Sequence, residues 1–335
     1  MHKLVLITII LVGLSSCWLD EKYLVGELPT TPANLIDINS EYDDYNSTAP
    51  SLGETFPLCF SSNRHSYGKE FNFVYKLVSV KFSTDTGLPS VYNETDARLD
   101  VFHRYRNLTS ALSRTNTRAN EFGPYLISTG GRQQVIAGVA EWHESYYLLY
   151  ANDENGNLDI KYIQNYDDVS FSVPTEVKFL NSIYDDAYPT FNTDNSEIYF
   201  TSNREGSFNI FYTAINSADE LETVLSDTTV HNIIKDDQLS SEFDDKCPFI
   251  SENLMVFTSN RAGGYGGYDL YFSKLVNGSW TKPINFGANI NTEYDEFRPI
   301  VRPQEQFSND FMLFSSNRPG GKGGFDLYYV GIEKE

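Results

Sequence analysis

The chain has 335 residues, of which 46 are Asp or Glu and 25 are Lys or Arg, for a formal net charge of −21. Such an excess repels phosphate backbones and anionic headgroups, which excludes nucleic-acid binding and basic-patch membrane docking. With 40% hydrophobic residues, 23 Tyr and 23 Phe, the chain is too apolar for a disordered acidic tail and leans towards β-structure, and three Cys are too few for a disulfide scaffold.

The first element is an address. Met1-His2-Lys3 is a short basic start, and Leu4 to Leu14 is an eleven-residue apolar run. A helix needs about 20 apolar residues to span a bilayer, so this is a secretory signal rather than an anchor helix. The ending Leu14-Ser15-Ser16-Cys17 resembles the lipobox of bacterial lipoproteins. The resemblance implies cleavage before Cys17 and acylation of its thiol. The expected organisation is a signal peptide over 1–16, a lipidated tether over 17–28 and a folded body over 29–335. Trp18 stands where inner-membrane retention signals of Gram-negative lipoproteins carry Asp, which points to the outer membrane. Asp20 and Glu21 look like the acidic export tag of surface-displayed lipoproteins, and leave periplasmic and surface-facing orientations both open. Contact with the membrane is expected through the lipid anchor only.

The body repeats one unit. Phe60-Ser61-Ser62-Asn63-Arg64 recurs as Phe200-Thr201-Ser202-Asn203-Arg204, Phe257-Thr258-Ser259-Asn260-Arg261 and Phe314-Ser315-Ser316-Asn317-Arg318. A degenerate copy, Tyr150-Ala151-Asn152-Asp153, is followed by Leu158-Asp159-Ile160-Lys161-Tyr162. That continuation mirrors Phe208-Asn209-Ile210-Phe211-Tyr212, Tyr268-Asp269-Leu270-Tyr271-Phe272 and Phe325-Asp326-Leu327-Tyr328-Tyr329. The aligned Asn positions 63, 152, 203, 260 and 317 put Asp153 in the place of the arginine. Ahead of each copy stands an acid pair: Asp43-Asp44, Asp185-Asp186, Asp244-Asp245 and Asp295-Glu296, with Asn120-Glu121 before the degenerate copy. In four of the five, Pro follows three residues on. The runs between these marks alternate and are bounded by Asn, Asp and Gly, which predicts short strands. The glycine loops 262–267 and 319–324 have strands on both sides and no helix, so they read as hairpin turns requiring positive φ rather than a phosphate cradle.

Repeats of about 50–60 residues with about four short strands predict an all-β propeller. The combination of Asp-Asp-x-x-Pro, a Phe-Thr-Ser-Asn-Arg strand end and Gly-Gly-x-Asp-Leu-Tyr resembles the TolB-like, WD-repeat-like β-propeller family over residues 29 to 331. The resemblance implies a propeller fold and an envelope role in binding proteins or glycans, and it fixes no reaction. Five blades are expected, or six if the 89-residue gap between copies one and two hides another. Residues 79–120 carry neither mark, so they read as an excursion of blade one. Pro32-Ala33-Asn34-Leu35 repeats Pro283-Ile284-Asn285-Phe286, and the chain stops just after the third strand of the last copy. The N-terminal strand is therefore expected to complete the C-terminal blade, covering an open edge.

A residue recurring in every blade is better explained by structure than by catalysis. Arg64, Arg204, Arg261 and Arg318 are expected to be buried against the acids of the marks. The alternative is a ring of carboxylates around one mouth, which leaves open a cation at the propeller axis; no other cofactor is expected. Candidate ligand-binding residues are the unrepeated Trp142 and His143, beside Glu141 and Glu144, and the basic Arg104 and Arg106 beside His103. The five His have no zinc spacing, and Cys59 and Cys247 fall in non-adjacent blades, against a bridge. The favoured function is a non-enzymatic envelope module binding a protein or glycan. The competing one is a glycan hydrolase or lyase, which requires two unrepeated carboxylates about 5–9 Å apart at one mouth.

Overall fold

A computed structural model describes residues 24–50, 55–95, 108–136, 139–165 and 171–334. They form five antiparallel sheets, the five blades of a β-propeller. In chain order, β1 (Ala33–Asn34) precedes blade one, made of β2 (Asp44–Thr48), β3 (Thr55–Ser62), β4 (Asn72–Phe82) and β5 (Pro89–Asn93). Helix α1 (Leu108–Thr115) leads to blade two, β6 (Glu121–Ile136), β7 (Val139–Asn152), β8 (Asp159–Gln164) and β9 (Thr175–Glu176). Blade three is β10 (Asp186–Phe191), β11 (Glu197–Glu205), β12 (Ser207–Ala214) and, after helix α2 (Leu221–Leu225), β13 (Ile234–Lys235). Blade four is β14 (Asp245–Ser251), β15 (Leu254–Ser259) and β16 (Asp269–Val276), with β17 (Ser279–Trp280) and β18 (Ile284–Asn285) both paired to β16. Blade five is β19 (Glu296–Arg302), β20 (Asp310–Ser316) and β21 (Asp326–Ile332).

The N-terminal strand closes the ring. Ala33 pairs with Tyr329 and Asn34 with Tyr328, as Asn285 and Ile284 pair with Tyr271 and Phe272 one blade earlier. Gly26 is already tied to the folded body, its amide donating to the Gln306 carbonyl, and Leu28 exchanges two bonds with the Asn309 side chain. Among the described residues, the stretch after the first repeat forms no extra blade. Residues 79–93 finish β4 and supply β5, and α1 packs Leu108, Ala111 and Leu112 onto Cys59 and Tyr146. Cys59 and Cys247 are both free thiols.

Each innermost strand carries the same irregularity. Two residues after the start of the acid pair's second member, Asn46, Gly123, Tyr188, Cys247 and Arg298 adopt φ of 51° to 57°. The ladder to the second strand shifts register at the same place in all five blades. This is a β-bulge, and it explains the motif proline: Pro124, Pro189, Pro248 and Pro299 follow the bulged residue, where no ladder N–H is needed.

The glycine loops depart from the sequence expectation. Only Gly263 and Gly320 have positive φ within them, 93° and 94°. Gly266 and Gly323 are required by space, because a Cβ there would lie 2.0 Å and 1.9 Å from the backbone carbonyls of Tyr294 and Tyr42 in the next blade. Tight blade-to-blade packing, not turn geometry, selects these residues.

Candidate functional site

The repeated acids divide into two structural roles. The first acid joins neighbouring blades. Asp43 accepts the Phe325 amide at 2.8 Å, Asp185 that of Leu158 at 2.9 Å, Asp244 that of Phe208 at 3.0 Å and Asp295 that of Tyr268 at 2.9 Å. The second acid is fully buried and joins its own blade. Arg64 bonds Asp44 at 2.6 Å, Arg204 bonds Asp186 at 2.6 Å, Arg261 bonds Asp245 at 2.5 Å and Arg318 bonds Glu296 at 2.9 Å. Each Nη2 also donates to a carbonyl of the preceding linker, Ile38, Leu180, Leu239 or Ile290. The four arginine side chains are 13–19% exposed, with Nε and Nη2 both engaged in each.

Blade two exchanges the partners. Its register places Asn152 opposite Glu121, where the other blades have Ser, so Asp153 matches the motif asparagine and Glu154 the motif arginine. This moves the sequence alignment by one residue. Asn120 and Asp153 swap acid for amide: Asn120 donates to Asp153 at 2.7 Å, whereas Asn203 donates to Asp185 at 3.0 Å. The missing cation comes from Lys161, at the position where later blades carry the aromatic under the arginine; its Nζ lies 3.0 Å from Asn152 and 3.1 Å from Glu154. Glu121 has no cation among the described residues. Its Oε1 accepts from Thr117 and Asn152, its Oε2 is buried without a partner, and burial pushes its pKa up to about 7.

With the acids engaged, the mouth on this side is lined by aromatics. Two five-membered rings converge there. One is the residue after the acid pair: Tyr45, Phe122, Ala187, Lys246 and Phe297. The other stands just before or at the start of each third strand: Phe71, Leu158, Phe208, Tyr268 and Phe325. Together with Tyr188 and Asp295, members from all five blades enclose a bowl of about 410 Å³. Their rings meet mostly edge to face, Tyr45 to Phe71 at 5.0 Å, Tyr45 to Phe122 at 5.9 Å and Tyr268 to Phe297 at 5.4 Å. The bowl has a floor. The Tyr188 ring takes the space of a side chain at Gly123, where a Cβ would sit 2.3 Å from it, and the Arg298 guanidinium lies 5.4 Å from the same ring.

One side of the bowl is polar. Lys246 Nζ sits 4.0 Å from the Phe208 ring centre, donates to the Tyr268 hydroxyl at 3.0 Å and pairs with Asp244 at 3.3 Å. The Tyr268 hydroxyl donates to Asp244 at 2.7 Å. Burial opposes ionisation of Asp244, but the Tyr268 hydroxyl, the Phe208 amide and Lys246 outweigh it and hold its carboxyl below the usual range. Asp295 is the carboxylate lining the bowl, and both of its oxygens are bonded, to the Tyr268 amide and to Asn317.

Among the other sequence candidates, Cys17, His103, Arg104 and Arg106 fall outside the described residues. Trp142 and His143 sit on β7, opposite Gln133 and Arg132 in the outer part of the β6–β7 ribbon. Eleven strand residues, about 36 Å, separate Gln133 from Phe122 in the bowl, so Trp142 does not join it. No cluster of three or more metal-ligating side chains occurs among the described residues, and the acids of the repeated pairs bind backbone and arginine. The sequence reading passed over the bowl aromatics although they belong to the repeated motifs. The available signal was their recurrence immediately beside the acid pair and immediately before the Asp or Asn that opens the third-strand motif.

No known sequence family matches the chain, and no curated protein matches it. Among solved structures, a thermostable family-43 glycoside hydrolase aligns at TM-score 0.50 and 11% identity, over 88% of this chain and 91% of that one. An α-L-arabinofuranosidase from Podospora anserina, solved with cellotriose, aligns at 0.46 and 13%, over 94% and 99%. A putative TolB from Agrobacterium tumefaciens aligns at 0.39 and 11%, over 92% and 100%. At 11% identity the alignment with the family-43 structure speaks to the propeller fold alone.

Proposed function

We propose that this protein is a glycan-binding propeller whose ligand seats in the aromatic bowl. The observation that carries the reading is the bowl itself: aromatic side chains contributed by all five blades around the axis, the buried Tyr188 ring among them, and one polar side of Lys246, Tyr268 and Asp244. Sugar rings present apolar C–H faces to aromatics and hydroxyls to such a polar edge. The charge of −21 favours a neutral sugar over an acidic one. The Leu-Ser-Ser-Cys17 ending supports an envelope lipoprotein tethered through Cys17 at the outer membrane, and the repeat motifs support the TolB-like relationship.

The likeness to a family-43 glycoside hydrolase supports a second reading, cleavage of the glycan at the same mouth. Against it, the acids described at the bowl recur in other blades and are bonded to backbone or side chains. The deciding experiment is calorimetric titration with a panel of neutral oligosaccharides, alongside reducing-end assays on the same panel. Binding without new reducing ends, weakened ~10-fold or more by Phe297→Ala, supports the binding reading. Release of reducing ends establishes hydrolysis. Absence of binding across the panel overturns both.

A further inference from the structure

The bulged positions put five residues at the axis beneath the bowl, Asn46, Gly123, Tyr188, Cys247 and Arg298, and only Arg298 carries a formal charge. Its side chain is fully buried. From blade five it reaches across to the Pro124 carbonyl of blade two at 3.2 Å and the Pro248 carbonyl of blade four at 3.4 Å, both long bonds. Its Nε has no partner. The contrast within the molecule is direct, since each of the four motif arginines bonds a carboxylate within 2.9 Å. No described carboxylate bonds Arg298.

The groups nearest its charge do not supply the missing anion. Burial keeps the Cys247 thiol protonated, with its pKa pushed up to about 12. The Tyr188 hydroxyl is held well above its ordinary value by the same cause and shares a 3.4 Å bond with the Asn46 amide. A buried cation compensated only by carbonyl dipoles and one ring face is costly, and a counter-ion removes that cost.

We propose that the propeller axis binds a small inorganic monoanion, of the chloride class, at the Arg298 Nε, behind the Tyr188 floor of the bowl. The ion is structural: it neutralises the one charge at the centre of the ring, so folding of the propeller becomes linked to halide. This holds whether or not the bowl binds a glycan.

The test uses bromide as the probe. The full chain is refolded without halide, then its thermal unfolding is compared in sodium bromide and sodium gluconate at equal ionic strength. We expect melting to rise by ~2–4 °C in 0.1 M bromide, with no such rise in gluconate. Crystals grown in bromide should give an anomalous peak within hydrogen-bond reach of Arg298 Nε. Arg298→Met, of similar length and without charge, should lose the response to bromide. Equal melting in the two salts overturns the proposal, as does a peak confined to the surface, water alone at Nε, or a halide response that survives in Arg298→Met. Should that variant not fold, melting and diffraction of the natural sequence decide.

Discussion

Arg261→Ala is the sharpest probe of the bonds that hold each blade. Arg261 makes three of them, to Ser259 Oγ at 3.0 Å, the Leu239 carbonyl at 2.6 Å and Asp245 Oδ1 at 2.5 Å. Asp245 is fully buried. After the substitution its Oδ2 keeps the Ser241 amide and hydroxyl, but Oδ1 loses its cation. Breaking a buried pair by removing one partner costs ~3–5 kcal/mol, because the surviving charge stays desolvated. For a domain of this size that lowers melting by roughly 5–8 °C. Differential scanning calorimetry of the natural sequence, Arg261→Ala and the double variant Arg261→Ala/Asp245→Ala measures the effect. The double variant should recover part of the loss, since no unpaired charge remains. A single-variant cost below ~1 kcal/mol, or a double variant no better than the single, would refute the reasoning.

Blade two offers the converse case. Glu121 already lacks its arginine and its pKa is raised to about 7, so the fold favours the protonated acid and stability falls as pH rises from its ordinary value towards 7. Glu121→Gln should therefore be nearly neutral at pH 4 and stabilising by up to ~3 kcal/mol at pH 8; unfolding curves at the two pH values test this. Gly266→Ala forces a Cβ against the Tyr294 carbonyl of the next blade, and should cost more than Gly263→Ala, which meets open space and bears only the strain of a φ of 93°. We expect ~1–3 kcal/mol for the first and ~1 kcal/mol for the second by urea denaturation. Deleting residues 29–40 removes β1 together with the buried Leu35 and Ile38, leaves β21 as an open edge, and should lower the melting of the whole ring rather than of one blade. A truncated chain with unchanged melting would count against closure through this strand.

The five blades and their closure were legible in the sequence because both rest on local patterns recurring along the chain. Strand alternation sets the register inside a blade, and the echo of Pro283–Phe286 in Pro32–Leu35 identifies the displaced outer strand without coordinates. The recurring arginines and acids also stood out by spacing. What each carboxylate oxygen bonds depended on the fold, since the first acid bonds the neighbouring blade and the second its own. The degenerate copy shows the limit of reading by alignment: Asn152 resembles the motif asparagine, but the ladder places Asp153 there and brings in Lys161 from another strand. The bowl was hidden for a related reason. Tyr45, Phe122 and Phe297 read as ordinary strand aromatics, and only closure of the ring brings residues far apart in the chain into contact around one axis. Arg298 is the clearest example, an unremarkable base in the sequence that the ring turns into an unpaired charge at its centre. Local sequence specifies each blade because a blade's contacts are short-range; the axis belongs to all five blades at once, so only the tertiary structure decides what meets there.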